Sequence, residues 1–327
     1  MKIGKLPNEV LEKLVFSNIT GKRSEILTRP SIGEDCGVID FGEFACVVST
    51  DPITGASENI GSLAIHISCN DVASNGAEPI GILMTILAPE NTTESDLENI
   101  MKDAGQTAAN LNVEIIGGHT EITNAVNKVV ISTTVIGKQK KKDILKTNEV
   151  KIGDKIIITK WAGIEGTSII ANELEDRLKD KIDDKMLKEA QEYSKYLSVI
   201  KEGIICGRVG VPYMHDVTEG GILGAVWEAA KAINKGVIID KEAIPIKEPT
   251  ERICNILNID PLRLISSGSM LIIVDSAKSD LLIGELESSN IEASIIGEVV
   301  EKDIKIKEDG DILEIDSPDS DELYKVV

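Results

Sequence analysis

Aromatic residues are scarce in this chain: two Trp, four Tyr and three Phe make up 3% of its 327 residues. A platform that stacks unpaired nucleobases therefore has little to be built from. Positive charge is also short. Lys and Arg number 35 against 55 Asp and Glu, a formal charge of −20, and such a surface repels nucleic-acid backbones and anionic membranes. The five cysteines (Cys36, Cys46, Cys69, Cys206, Cys254) are odd in number and contain no CxxC pair. That argues against a disulfide framework and against a zinc ribbon. No long apolar run occurs: "IGILMTILA", Ile80 to Ala88, is too short to span a bilayer. The start, "MKIGKLPNEVLEKLV", lacks the uninterrupted apolar core of a signal peptide, so a cytoplasmic protein is expected. The phosphate-binding patterns GxxxxGKS/T and GxGxxG and the zinc motif HExxH are all missing.

Material for packed cores is ample, with 42% hydrophobic residues, and the length suggests two domains of about 150 residues. "FACVVSTDPI" and "IGILMTILAP" read as strands, and "VEIIGGHTEIT" and "KVVISTTVIG" as strands around a polar turn. A short amphipathic helix is expected near Pro7 to Phe16, a buried one from Gly61 to Asn75, and another from Thr93 to Leu111, opened by Thr93 or Ser95. The Lys-rich "KQKKKDILKTNEVKIGD" has no apolar periodicity, which places a domain boundary near Asn148, giving domains 1–148 and 149–327. Beyond it come the strand "KIIITK", the loop "WAGIEGTS" with a helix from Thr167, and a charged helix from about Lys185 to Gly203. "VPYMHDVTEGGILGAVWEAAKAI" then gives a turn and a helix, and "SMLIIVD" and "EASIIGEVV" are closing strands. Strands and helices alternate in both halves, which is the pattern of an α/β or α+β protein in two layers.

Four polar stretches share one layout. Asp35 precedes an apolar strand, Asp51 ends the next, Asp71 sits in mid-helix, and His119, Thr120 and Glu121 follow Gly117 and Gly118 at a strand tip. Strand ends beside helix starts are where α/β folds place ligands. Carboxylates converging there repel one another unless a hard cation neutralises them, and Mg²⁺ suits a few carboxylates plus water and phosphates. Taken singly, Asp35 or Asp51 reads as a turn or N-cap residue, and His119 as a hydrogen-bonded turn residue. His215 and Asp216 read as N-cap-region residues before a helix. Gly163 and Gly166 of "WAGIEGTS" enter a helix whose free N–H groups could hold an anion, although glycine is common in such loops. The combination carries the argument.

In their order and spacing, "GEDCGVI", "STDPI", "CNDVASNGAEP", "IIGGHTEIT", "STTVIGK" and "HDVTEGGILGAVWE" resemble the AIR synthase-related family over nearly the whole chain. The resemblance is closest to its hydrogenase-maturation, HypE-like branch. It implies a two-domain PurM-like fold, an N-terminal sheet domain that pairs into a homodimer, and a C-terminal α+β domain. It further implies ATP bound through Mg²⁺ at Asp35, Asp51 and Asp71, with Asn70, Gly117, Gly118, Thr120, His119 and Asp216 lining the cleft. His119 or Asp216 would handle the proton of a carbamoyl, amide or similar acceptor. The last cysteine is Cys254, so the C-terminal cysteine that carries the carbamoyl group in HypE is not matched in this sequence. The nucleotide site carries over, and the second substrate does not. The expected activity is phosphorylation of an acceptor oxygen ahead of dehydration or cyclisation. The alternatives are an ATP-binding maturation scaffold without turnover and a small-molecule kinase of the thiamine-phosphate type.

Overall fold

The computed structural model describes residue 6 and residues 8–54, 59–318 and 320–327. Two compact units are present. One comprises Lys22–Pro30 and Asp35–Ile144; the other comprises Leu145–Val327 with Ser31–Glu34 and the described residues up to Gly21.

In the first unit the alternating apolar pattern of the strands builds a sheet buried on one face. Its strands are β1 (Ile26–Thr28), β2 (Gly37–Phe41), β3 (Phe44–Ile53), β4 (Glu78–Ala88), β5 (Glu114–Ile122) and β6 (Val130–Lys140), in the order β1-β2-β3-β6-β4-β5. All neighbours are antiparallel except β4 and β5, which run parallel. The crossover that a parallel pair requires is a helix. The second unit contributes α1 (Asn8–Leu14), within the expected N-terminal helix; Pro7 lies outside the described residues. Two helices of the first unit, α2 (Ile60–Ser74) and α3 (Glu94–Asn110), pack on each other and against the sheet. α3 opens as expected at Thr93, whose side chain accepts from Asp96 N while the Asp96 carboxylate accepts from Thr93 N. α2 lies so close to the sheet that a Cβ on Gly137 would meet Val72 Cγ1 at 2.2 Å. On the opposite sheet face Leu83 is 41% exposed and Ile116 of the edge strand 52%; Ile122, also on that edge strand and 49% exposed, pairs with Ala88 of the helix-covered face.

The second unit holds β7 (Lys155–Thr159), β8 (Tyr213–Asp216), β9 (Gly236–Asp240), β10 (Met270–Val274), β11 (Ala293–Val300), β12 (Ile304–Glu308) and β13 (Asp311–Glu314) in the order β13-β12-β9-β11-β7-β10-β8. Its further helices are α4 (Ile164–Glu173), α5 (Glu175–Leu178), α6 (Asp184–Gln191), α7 (Ile200–Val209), α8 (Gly221–Ile233), α9 (Glu248–Leu257) and α10 (Ser279–Ser288). The main core sets α8 (Ile222, Val226, Ile233) on the sheet (Ile156, Ile158, Val237, Leu271), and a second core joins α4, α6 and α9. A buried ion pair ties β7 to α7: Lys160 Nζ lies 2.6 Å from Glu202 Oε1 and donates to Ser198 O and Gly268 O. Among the described residues no helix is long and apolar enough to cross a membrane.

Several elements differ from the sequence expectation. α4 begins at Ile164, not Thr167, because Gly163 takes a left-handed conformation (φ 71°) that starts the helix early. The single charged helix expected near Lys185 to Gly203 is broken into α6, a 3₁₀ turn over Glu192–Tyr196, and α7. His215 and Asp216 end strand β8, and the N-cap of α8 is Gly220.

Candidate functional site

The buried face of the first sheet carries a polar seam beneath α2. Ser68 and Asp71, three residues apart, fall on one side of that helix. Ser68 Oγ pairs with Thr133 Oγ1 of β6, and Thr133 Oγ1 also lies 3.2 Å from Ala64 O. One turn on, Asp71 is 4% exposed, and its Oδ2 accepts the Ser49 hydroxyl of β3 at 2.5 Å. The same hydroxyl lies 3.1 Å from the backbone oxygen of Asp35. The Cys36 thiol donates to Asp71 O at 3.2 Å, so the Asp35–Cys36 segment is fastened to α2 at the level of Asp71. A carboxylate buried in apolar surroundings is costly unless it is hydrogen-bonded or paired. The Ser49 hydroxyl supplies part of that pairing.

Asp51 joins this junction through the strand period. It lies two residues beyond Ser49 on β3, hence on the same face, half-buried, and directly opposite Thr133 in the β3–β6 register. Asn70 is fully buried beside Asp71 in α2. The Asp71 carboxylate, the Asp35 backbone oxygen and, by strand period, Asp51 are thus brought to one seam, while Asn70, two residues from Ser68, lies off the Ser68–Asp71 side of α2.

The Gly117–Thr120 segment is not part of it. These residues do not cap a strand tip; they lie within β5, which runs on to Ile122 as the sheet edge. In register, Asp51 faces Thr133, Thr133 faces Met84, and Met84 faces Gly118. Three inter-strand steps of ~4.8 Å place Gly118 roughly 14 Å from Asp51. Gly118 is required where it stands, since a Cβ there would meet Met84 O at 1.8 Å. His119 is exposed, with Nε2 3.4 Å from Glu121 Oε2.

In the second unit His215 and Asp216 are 4% and 1% exposed at the end of β8. His215 Nε2 lies 3.1 Å from Glu228 Oε2 on α8. The loop that follows is fixed by Asp321, whose carboxylate accepts from three backbone groups: Gly220 N at 2.6 Å, Ile265 N at 3.2 Å and Leu323 N at 2.8 Å. Tyr324 Oη donates to Glu219 at 2.7 Å. Burial pushes the Asp321 carboxyl up to about 6 despite those bonds. Burial likewise pushes Glu165, in the first turn of α4, up to about 7, with the charges of Asp321, Glu219 and Asp216 adding to the effect.

Sequence reasoning missed Ser49, Glu165 and Asp321. Ser49 was within reach, because "STDPI" places a hydroxyl two residues before Asp51 on an alternating strand. Glu165 stands in "WAGIEGTS", where the two glycines are the stronger sequence signal.

Two domain families match the chain: AIR synthase related protein, N-terminal domain, over residues 33–139, and AIR synthase related protein, C-terminal domain, over residues 151–308. A protein of Methanocaldococcus jannaschii named for hydrogenase expression/formation is 28% identical over 311 residues, covering 90% of this chain and 88% of its own length. The carbamoyl dehydratase HypE of Bradyrhizobium diazoefficiens is 26% identical over 280 residues, covering 83% of this chain and 79% of its own. Among solved structures, that of a HypE–HypF complex superposes with a TM-score of 0.78 at 21% identity, covering 94% of this chain and 99% of that one. HypE in complex with ATP gives 0.71 at 21% identity, with coverage of 97% and 92%.

Proposed function

Because the chain belongs to the family of AIR synthase-related proteins, we propose that it is an ATP-dependent enzyme of the HypE type, activating the oxygen of a carbamoyl, amide or similar acceptor by phosphorylation. The observation that carries the reading is the junction at Ser49, where the Asp35 backbone and the Asp71 carboxylate meet one hydroxyl and Asp51 follows on the same strand face. Relatives named as carbamoyl dehydratases and the fold shared with ATP-bound HypE support it.

The junction presents hard oxygen, the Asp71 carboxylate and the Asp35 backbone oxygen with Asp51 following on the same strand face, the kind of donor that holds Mg²⁺ with water and phosphate. Asp35, Asp51 and Asp71 would hold that ion, which supplies positive charge against the phosphates of ATP when bound. The chain's own contribution is positioning. Ser49 holds the Asp71 carboxylate in one orientation, and the Cys36 thiol fixes the Asp35 loop to α2. Asn70, Gly117, Gly118 and Thr120 would line the nucleotide, with the Gly-Gly step of β5 leaving backbone uncovered at the sheet edge. His119 and Asp216 are the proposed groups for the acceptor's proton.

A homodimer completes the reading. One sheet face lies under α2 and α3, while Leu83, Ile116 and Ile122 remain largely exposed on β4 and the edge strand β5. Exposed apolar residues along a sheet edge are a ready surface for pairing with a second copy. The likeness to HypE held by HypF supports a protein partner of the maturation type.

The test is Asp51→Asn. Mg²⁺-dependent ADP formation, assayed with carbamoyl and amide acceptors present, is expected to fall at least a hundredfold with circular dichroism unchanged. Full activity in the variant removes Asp51 from the site. Tight ATP binding by the unaltered protein with no ADP formed under any condition replaces the enzyme reading by a nucleotide-binding scaffold.

A further inference from the structure

The first turn of α4 holds a carboxyl group that the proposed reaction does not use. Glu165 is 7% exposed, and its Oε2 completes no hydrogen bond within the chain. The Ser267 hydroxyl, fully buried in the turn before β10, also completes none, although it lies near enough to Glu165 to favour the ionised form. The charges of Asp321, Glu219 and Asp216 all bear on Glu165. Asp321 is already committed to three backbone N–H groups, and Glu219 Oε1 to Tyr324. Lys160, a few residues before it in sequence, is held by Glu202, Ser198 O and Gly268 O.

Glu165 and Ser267 are therefore left with open valence where several acids act on one another. Buried polar atoms in folded proteins are nearly always paired. Negative charge gathered in a poorly solvated spot favours the entry of a positive one. All of these residues belong to one unit. We infer that Glu165 and Ser267 form a cation subsite of the second unit, taking either a metal ion or the ammonium or guanidinium group of an organic ligand. The inference is independent of the ATP site assigned to Asp35, Asp51 and Asp71.

The experiment uses the full chain, free of nucleotide, in an Asp51→Asn background so that the proposed nucleotide-metal position does not contribute. Calorimetric titrations with Mn²⁺, with methylammonium and with guanidinium are run on that protein and on Asp51→Asn/Glu165→Gln. At least one probe is expected to bind the former and to weaken at least tenfold in the latter. Loss confined to Mn²⁺ identifies a metal subsite, and loss confined to the organic cations identifies a ligand headgroup. Binding of every probe unchanged by Glu165→Gln, or binding of none, overturns the inference. Should Glu165→Gln fail to fold, Ser267→Ala is expected to weaken the same probe several-fold, and unchanged binding there overturns it equally. ATP affinity of the single variant Glu165→Gln separates the two sites: its retention alongside lost cation binding leaves the nucleotide reading standing.

Discussion

Glu165→Gln should stabilise the protein above neutral pH and do little in acid. The folded carboxyl titrates at about 7 against an ordinary 4.5, so between those values the folded state holds a proton that the unfolded state has lost. The sign follows from linkage: stability from the neutral buried group is fully present below 4.5 and is lost as pH rises through 7. A displacement of that size corresponds to about 3 kcal/mol. Glutamine keeps the shape and carries no charge at any pH, so the gap between variant and parent should open by roughly 2–3 kcal/mol between pH 5 and pH 8. Both tryptophans, Trp161 and Trp227, lie in the second unit. Tryptophan fluorescence during urea unfolding therefore reports that unit directly. Asp321 also titrates in the range, at about 6, but it is common to both proteins and cancels to first order. A gap that stays constant between the two pH values, or a variant less stable at pH 8 than at pH 5 relative to its parent, refutes the reasoning.

Ser49→Ala removes a donor to the buried Asp71 carboxylate and should cost about 2 kcal/mol in first-unit stability, read by hydrogen exchange of β3 and α2. Lys160→Ala leaves Glu202, 1% exposed, without its cation. The loss should be about 3–5 kcal/mol, seen as an earlier tryptophan transition. Leu83→Lys with Ile116→Lys places charge on the open side of the first sheet and should convert the proposed dimer to monomer in sedimentation, with retention of the dimer locating the pairing surface elsewhere.

Apart from the three-residue β1, which lies in a stretch that reads as polar, the helices and strands of the first unit are readable from the chain by their apolar pattern or by strong stop signals. Thr93 with Asp96, and Gly76 followed by Pro79, fix two helix ends by local chemistry alone. The second unit is harder to read. "MLIIV" and "KIIIT", buried on both faces, have no period to report and are recognised as strands only by their apolar, β-branched composition, whereas β12 and β13 are short and polar enough to pass for loop. That Asp35 and Asp71 lie near each other could be argued from their places beside strand and helix, but the hydroxyl that joins them, Ser49, depends on which elements neighbour one another. The edge position of Gly117–Thr120 has the same cause. Strand order β3-β6-β4-β5 is a tertiary fact, and only that order sets the distance between the acids and the glycine pair.

The three bonds accepted by Asp321 bear on how this polypeptide is made. Its carboxylate locks a loop 101 residues earlier and a turn 56 residues earlier, contacts of long sequence separation that close late. Translation delivers residues in order, so the Gly220 loop leaves the ribosome well before its clamp exists. Until residue 321 emerges, the nascent second half carries that loop unclamped, and truncated products should be the species that chaperones and proteases capture.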